Sequence, residues 1–157
     1  SSDLRSCTCR TVASCGLTLI SLHWMVCKAL PDNRRMTLHY LEFDYSEDAE
    51  GTGTWDAIAS VGDAHLPALQ AEIVSVLAWA EAEFPAQRAP IEDGGRWDYD
   101  LQSEPEQAAL QSLHYDVATR QLVPPMASAS GSRHTLTLSL SGDGAFGTAF
   151  RSRFDLS

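Results

Sequence analysis

The sequence predicts an α+β fold: an antiparallel sheet of four to five strands, one long helix packed on one face of it, and a short C-terminal helix. Three observations carry this expectation. Residues 63–84, DAHLPALQAEIVSVLAWAEAEF, keep an unbroken helical period, with Leu66, Leu69, Ile73, Val76, Leu77, Ala80 and Phe84 at steps of three and four. Such spacing makes an apolar stripe about 100° or more wide, which another layer must cover. RHTLTLSLS at 133–141 alternates with a period of two, and Phe146, Phe150 and Phe154 recur every fourth residue. At 157 residues the chain is long enough for one domain with a substantial core and too short for two comfortable ones.

Taken in order, Thr37 to Tyr45 alternates, with His39, Leu41, Phe43 and Tyr45 on one side and Leu38, Tyr40, Glu42 and Asp44 on the other, as a half-buried strand would. After an acidic loop from Ser46 to Gly53, Thr54 to Val61 brings Trp55, Ala57, Ala59 and Val61 into phase as the second arm of a hairpin. Asp63 is placed to cap the long helix, because its carboxylate can accept a first-turn N–H; Pro67 is tolerated near the start, and Pro85 ends the helix. Beyond the turn Asp93-Gly94-Gly95, Trp97, Tyr99 and Leu101 alternate with Arg96, Asp98 and Asp100, a third strand with an acidic outer face.

Ser103-Glu104-Pro105-Glu106 has capping-box spacing and predicts a short helix from Glu104 to Gln111. Ser112 to Val117 alternates again, Leu113, Tyr115 and Val117 against His114 and Asp116, then turns at Asp116 to Arg120 into a brief return arm ending at Pro124-Pro125. Met126 to Ser132, MASASGS, lacks an apolar anchor and is expected to be a mobile loop. The strand that follows points Leu136, Leu138 and Leu140 inward. Gly142 to Phe154 forms the last helix, weakened at Gly144 and Gly147 by about 1 kcal/mol each. His39 and His134, in phase with core residues, are expected to be partly buried and hydrogen-bonded.

The net charge of −10 conceals a split: residues 1–35 carry five Lys or Arg against two acids, whereas residues 36–157 carry six Arg, no Lys and nineteen acids, a balance of −13. That surface repels phosphate backbones and anionic lipid, so no nucleic acid and no membrane partner is expected; a basic protein partner or a divalent cation is electrostatically permitted.

All four cysteines, Cys7, Cys9, Cys15 and Cys27, precede residue 36, so the acidic part needs no disulfide and suits a reducing cytoplasm. A zinc reading of these with His23 lacks the usual paired-cysteine spacing. Val12 to Cys27 is apolar, but Ser14, Thr18, Ser21 and His23 interrupt it and Lys28 ends it short of the roughly 20 residues of a span. Val12-Ala13-Ser14-Cys15 imitates a lipoprotein cleavage box without a hydrophobic region before it. Residues 1–35 are therefore expected to be an N-terminal extension outside the fold, with residues 36–157 the single domain.

The sequence holds few patterns that carry chemistry. Gly142-x-Gly144-x-x-Gly147 has the dinucleotide spacing, but only ten residues follow it, too few for a second strand and its ribose-binding acid, and Asp143 would repel a pyrophosphate. A glycine-rich turn with an Asp cap fits better. Asp44, Ser46, Asp48 and Glu50 occupy alternate positions of a calcium loop, yet its obligatory glycine is Ala49 and its terminal glutamate is Trp55. Asp44, Asp48 and Glu50 remain as candidate ligands of a weak cation site. No serine-nucleophile elbow is present, and the lysine-free acidic part cannot form a Schiff base or a Walker lysine. No cofactor is indicated.

From Met36 onward, MTLHYLEFDYSEDAEGTGTWDA, GGRWDYDLQ and RHTLTLSLSG resemble small acidic bacterial proteins that carry no assigned function. The resemblance covers about residues 36–157 and brings no catalytic residues. What survives is a cluster inferred from strand phase: Glu42, Asp44, Asp98, Asp100, His114 and Asp116 all lie opposite the core residues. On one sheet they would form either a solvated face or a set of carboxylates with a histidine, the material of acid–base work or metal binding. The function expected is a small non-catalytic binding domain; the alternative is a hydrolase or lyase using His114, Asp98, Asp100 and Asp116, or a divalent-cation site.

Overall fold

Alternation and helical period sort the apolar residues onto one face of a sheet and one side of each helix, and those surfaces meet. The computed structural model describes residues 35–126 and 130–156. The elements run β1 (Asp44–Glu47), β2 (Gly53–Gly62), α1 (Leu66–Glu83), β3 (Trp97–Pro105), β4 (Gln111–Ser112), β5 (His114–Asp116), β6 (Gln121–Val123), β7 (Arg133–Gly142) and α2 (Gly144–Phe154). A five-stranded antiparallel sheet has the order β1-β2-β7-β3-β4, and β5 pairs with β6 in a separate two-stranded sheet. The α+β fold, with its longer helix and short C-terminal one, is the one the sequence predicts.

The long strands β2 and β7 bury alternate residues, so Trp55, Ala57, Ala59 and Val61 share the covered face with Leu136, Leu138 and Leu140. Against that face lies the α1 stripe, all seven of whose expected members are buried. Phe146, Phe150 and Phe154 of α2 are buried too, and Trp55, Trp79 and Trp97 surround them with ring centroids 5.3–6.0 Å apart. Aromatic packing at this range adds directional attraction to the area removed from water. Asp143 caps α2 as expected, accepting the Phe146 N–H at 2.9 Å.

Several local expectations are corrected. The strand expected over Thr37 to Tyr45 exists only as Asp44–Glu47, because the N–H groups of His39, Tyr40 and Leu41 donate to the Glu72 carboxylate of α1 instead of to a neighbouring strand. His39 is consequently exposed, and Tyr45 keeps 45% of its surface. The residue that precedes α1 is His65, without a side-chain cap; Asp63 turns away to Ser132 and His134. The helix expected over Glu104 to Gln111 does not form: β3 runs on to Pro105, since Ser103 fills a fully buried position opposite Leu136, and the N–H of Glu106 donates to Arg133. The strand expected over Ser112 to Val117 breaks at Leu113, whose N–H donates to Leu101. Past that break Val117 is 53% exposed and not part of the core.

The expected extension, with its cysteines, His23, zinc reading and apolar run, lies outside the described residues apart from Arg35, whose exposed guanidinium meets Asp155 at 2.9 Å. Residues 127–129 of the expected mobile loop lie outside them as well. Among the described residues, no helix is long and apolar enough to cross a membrane.

Candidate functional site

Among the described residues, both helices and the buried apolar side chains occupy one side of the five-stranded sheet, and neither helix covers the other side. Residues on that bare face follow from period-two geometry. They are Asp44 and Ser46 on β1, Thr54, Asp56, Ile58 and Ser60 on β2, Thr135 to Ser141 at alternate positions on β7, and Asp98 to Glu104 at alternate positions on β3.

Register arranges them in rows across the strands. Asp44 faces Asp56, Asp56 faces Ser139, and Ser139 faces Asp100, so one row carries three carboxylates and a hydroxyl. The Ser139 hydroxyl donates to Asp56, and Gln102 Nε2 donates to Asp100 at 2.7 Å. The adjacent row is Ser46, Thr54, Ser141 and Asp98. Asp98 accepts the Tyr99 N–H at 2.9 Å and lies 3.9 Å from an Arg88 guanidinium nitrogen, while Arg88 Nε is held by Glu81 at 2.9 Å. On the other flank Ile58, 68% exposed, stands between Asp56 and Ser60 and opposite Thr137. Like charges at directly opposite positions of a sheet disfavour the pairing, and Asp44 and Asp56 stand at such positions.

The structure separates the residues of the acid–base alternative. Asp98 and Asp100 share the bare face, whereas His114 and Asp116 belong to the two-stranded sheet. That small sheet lies on the covered side: Tyr115 is buried, and its N–H donates to the hydroxyl of Tyr99 at 2.7 Å. His114 is exposed. Asp116 closes the β5–β6 turn, accepting from Ala118 N and Thr119 Oγ1 at 2.9 and 2.8 Å, and the Thr119 hydroxyl foremost holds its carboxyl below the ordinary range.

Asp44 is likewise set apart from Asp48 and Glu50, which share the hairpin loop. Asp44 lies in the sheet row, while Asp48 Oδ1 accepts the N–H groups of Glu50 and Thr52, both at 2.9 Å, as an Asx turn within the hairpin loop. The Thr52 N–H, first of these, holds the Asp48 carboxyl below its usual value. Among the described residues no three His, Cys, Asp or Glu side chains converge as a metal-binding group.

Asp56 and Ser139 escaped the sequence reading. Both lie on the polar phase of their strands, as Asp98 does, but which strand neighbours which could not be seen without the order β2-β7-β3. No protein-family model, no curated protein and no solved structure matches this chain.

Proposed function

We propose that this chain is a non-catalytic interaction module whose bare sheet face takes a basic protein partner. The observation that supports it is the row Asp44, Asp56, Ser139 and Asp100, three carboxylates across four adjacent strands on a face that neither helix covers. A partner's Lys or Arg side chains would relieve the repulsion between Asp44 and Asp56, and the exposed Ile58 beside the row offers a small apolar contact. Phosphate backbones and anionic lipid would be repelled by the same charges. We assign this activity to residues 36–157 and place it in the cytoplasm, since that part holds no cysteine to pair.

The test is titration of the protein with a labelled oligolysine peptide, followed by fluorescence anisotropy at low and high salt. Binding should weaken as salt rises and fall by at least tenfold in Asp44→Asn/Asp56→Asn/Asp100→Asn, a loss of about 1.4 kcal/mol or more. Unchanged affinity in that variant would place the basic partner elsewhere or nowhere.

A further inference from the structure

At one end of the covered face, two buried polar atoms have no hydrogen-bond partner among the described residues: Nδ1 of His134 and the hydroxyl of Ser103. His134 is 1% exposed and Ser103 is fully buried. We propose that these two groups hold one internal water molecule, which joins Ser103, His134 and Asp63 in a single hydrogen-bonded chain.

The chemistry of each atom supports this. His134 Nε2 lies 2.9 Å from Asp63 Oδ1, and Asp63 Oδ2 accepts the Ser132 N–H at 3.0 Å. An ionised carboxylate only accepts, so Nε2 carries a proton toward Asp63, and in the neutral ring Nδ1 is then a bare acceptor. Ser103 offers a hydroxyl donor. The register puts Ser103 opposite Leu136 and His134 opposite Pro105, so the two are diagonal neighbours on the same face of β3 and β7. Diagonal Cβ atoms are about 7–8 Å apart or slightly less. The serine hydroxyl and the imidazole ring cover part of that distance, and what remains suits one water making two bonds of about 2.8 Å. Buried polar groups are almost always paired, and a polar site with two or more partners is what an internal water requires.

Asp63, His134 and Ser103 also match the residue types of a hydrolytic triad. Access decides against that reading. Ser103 lies on the covered face, and the shallow depression beside Asp63 is lined by Gly62, Asp63, Ala64, Ser130, Gly131 and Ser132, with neither Ser103 nor His134 at its surface.

The experiment is nitrogen-15 NMR of the histidine-labelled full chain at neutral pH, combined with water-selective cross-relaxation. The expected result is the Nε2–H tautomer for His134 and a cross-peak between its ring and a long-lived water. That peak should be lost in Ser103→Ala and kept in Ser103→Thr, which retains the hydroxyl. An Nδ1–H tautomer, a wild-type ring with no water cross-peak, or a peak unchanged in Ser103→Ala would each overturn the proposal. The first two readings need only the wild-type protein, so they stand even if a variant fails to fold.

Discussion

Glu72 Oε1 accepts the backbone N–H of Leu41 at 2.7 Å, and the same carboxylate takes the N–H groups of Tyr40 and His39 at 2.9 and 2.8 Å. One side chain on α1 therefore satisfies three successive donors that would otherwise need a neighbouring strand. It also holds Leu41 in the core, with Met36, Leu38, Tyr40 and Phe43 packed partly against it. Glu72→Ala should lower stability by about 2–3 kcal/mol, since bonds to a charged group are worth more than neutral ones and partly buried N–H groups lose their acceptor. Glu72→Gln, which keeps an oxygen, should lose less. Urea unfolding of the two variants checks this, and an alanine variant as stable as wild type would remove the strap from the stability account.

The α1 stripe makes a sharper contrast. Leu77 is fully buried and Glu83, on the same helix, is exposed. Leu77→Ala should cost about 2–5 kcal/mol, a large part of the roughly 5–15 kcal/mol that holds a domain of this kind together. Glu83→Ala should change stability by less than about 0.5 kcal/mol. Similar urea midpoints for the pair would mean that the covered face has been misassigned.

Stability should fall at both pH extremes for identifiable reasons. Asp116 and Asp48 are held below the ordinary carboxylate value of 3.8, chiefly by the Thr119 hydroxyl and the Thr52 N–H respectively. A depressed carboxylate adds stability above its unfolded value and loses it as pH falls through the folded one, so both turns weaken below pH 3.8. Tyr115 is raised above 10.0, mainly by burial. Its contribution is complete below pH 10.0 and disappears as pH rises through the higher folded value. Asp116→Asn should flatten the acid limb of a plot of urea midpoint against pH, and Tyr115→Phe the alkaline limb. Parallel limbs in variant and wild type would count against these assignments.

Periodicity made the core legible. Leu66 to Phe84, the alternation of β2 and β7 and the three phenylalanines of α2 each carry their burial in spacing alone, because a side chain's face follows from its position in a regular element. Partners chosen over long sequence distances left no such trace. Glu72 meets residues 39–41, and Asp63 meets His134 across 71 positions; either acid reads locally as a solvated charge or a helix cap. Ser103 misled for a related reason. Its capping-box pattern is a local signal, overridden by a buried place opposite Leu136. The candidate face was half legible: strand phase identified Asp44, Asp98 and Asp100, while the row containing Asp56 and Ser139 needed the strand order, and the same phase argument wrongly brought in His114 and Asp116 from the other sheet.

The row of carboxylates allows a test that separates repulsion, screening and site binding. Asp44 stands directly across from Asp56, so Asp44→Asn should raise the melting temperature at low salt, and the gain should shrink as sodium chloride screens the pair. If these acids form only a charged face, calcium, magnesium and manganese chlorides should stabilise the protein no more than sodium chloride at matched ionic strength. That is the expected outcome, because Asp48 is already engaged by two N–H groups and the row acids lie in an open plane. An excess shift with a divalent ion would instead reveal mass-action binding to the folded state. Its location would follow from loss of the excess in Asp98→Asn/Asp100→Asn, on the sheet, or in Asp48→Asn/Glu50→Gln, in the hairpin loop. A melting temperature for Asp44→Asn that matches wild type at every salt concentration would show that the Asp44–Asp56 repulsion is already relieved in the isolated protein, and would weaken the case for a basic partner on this face.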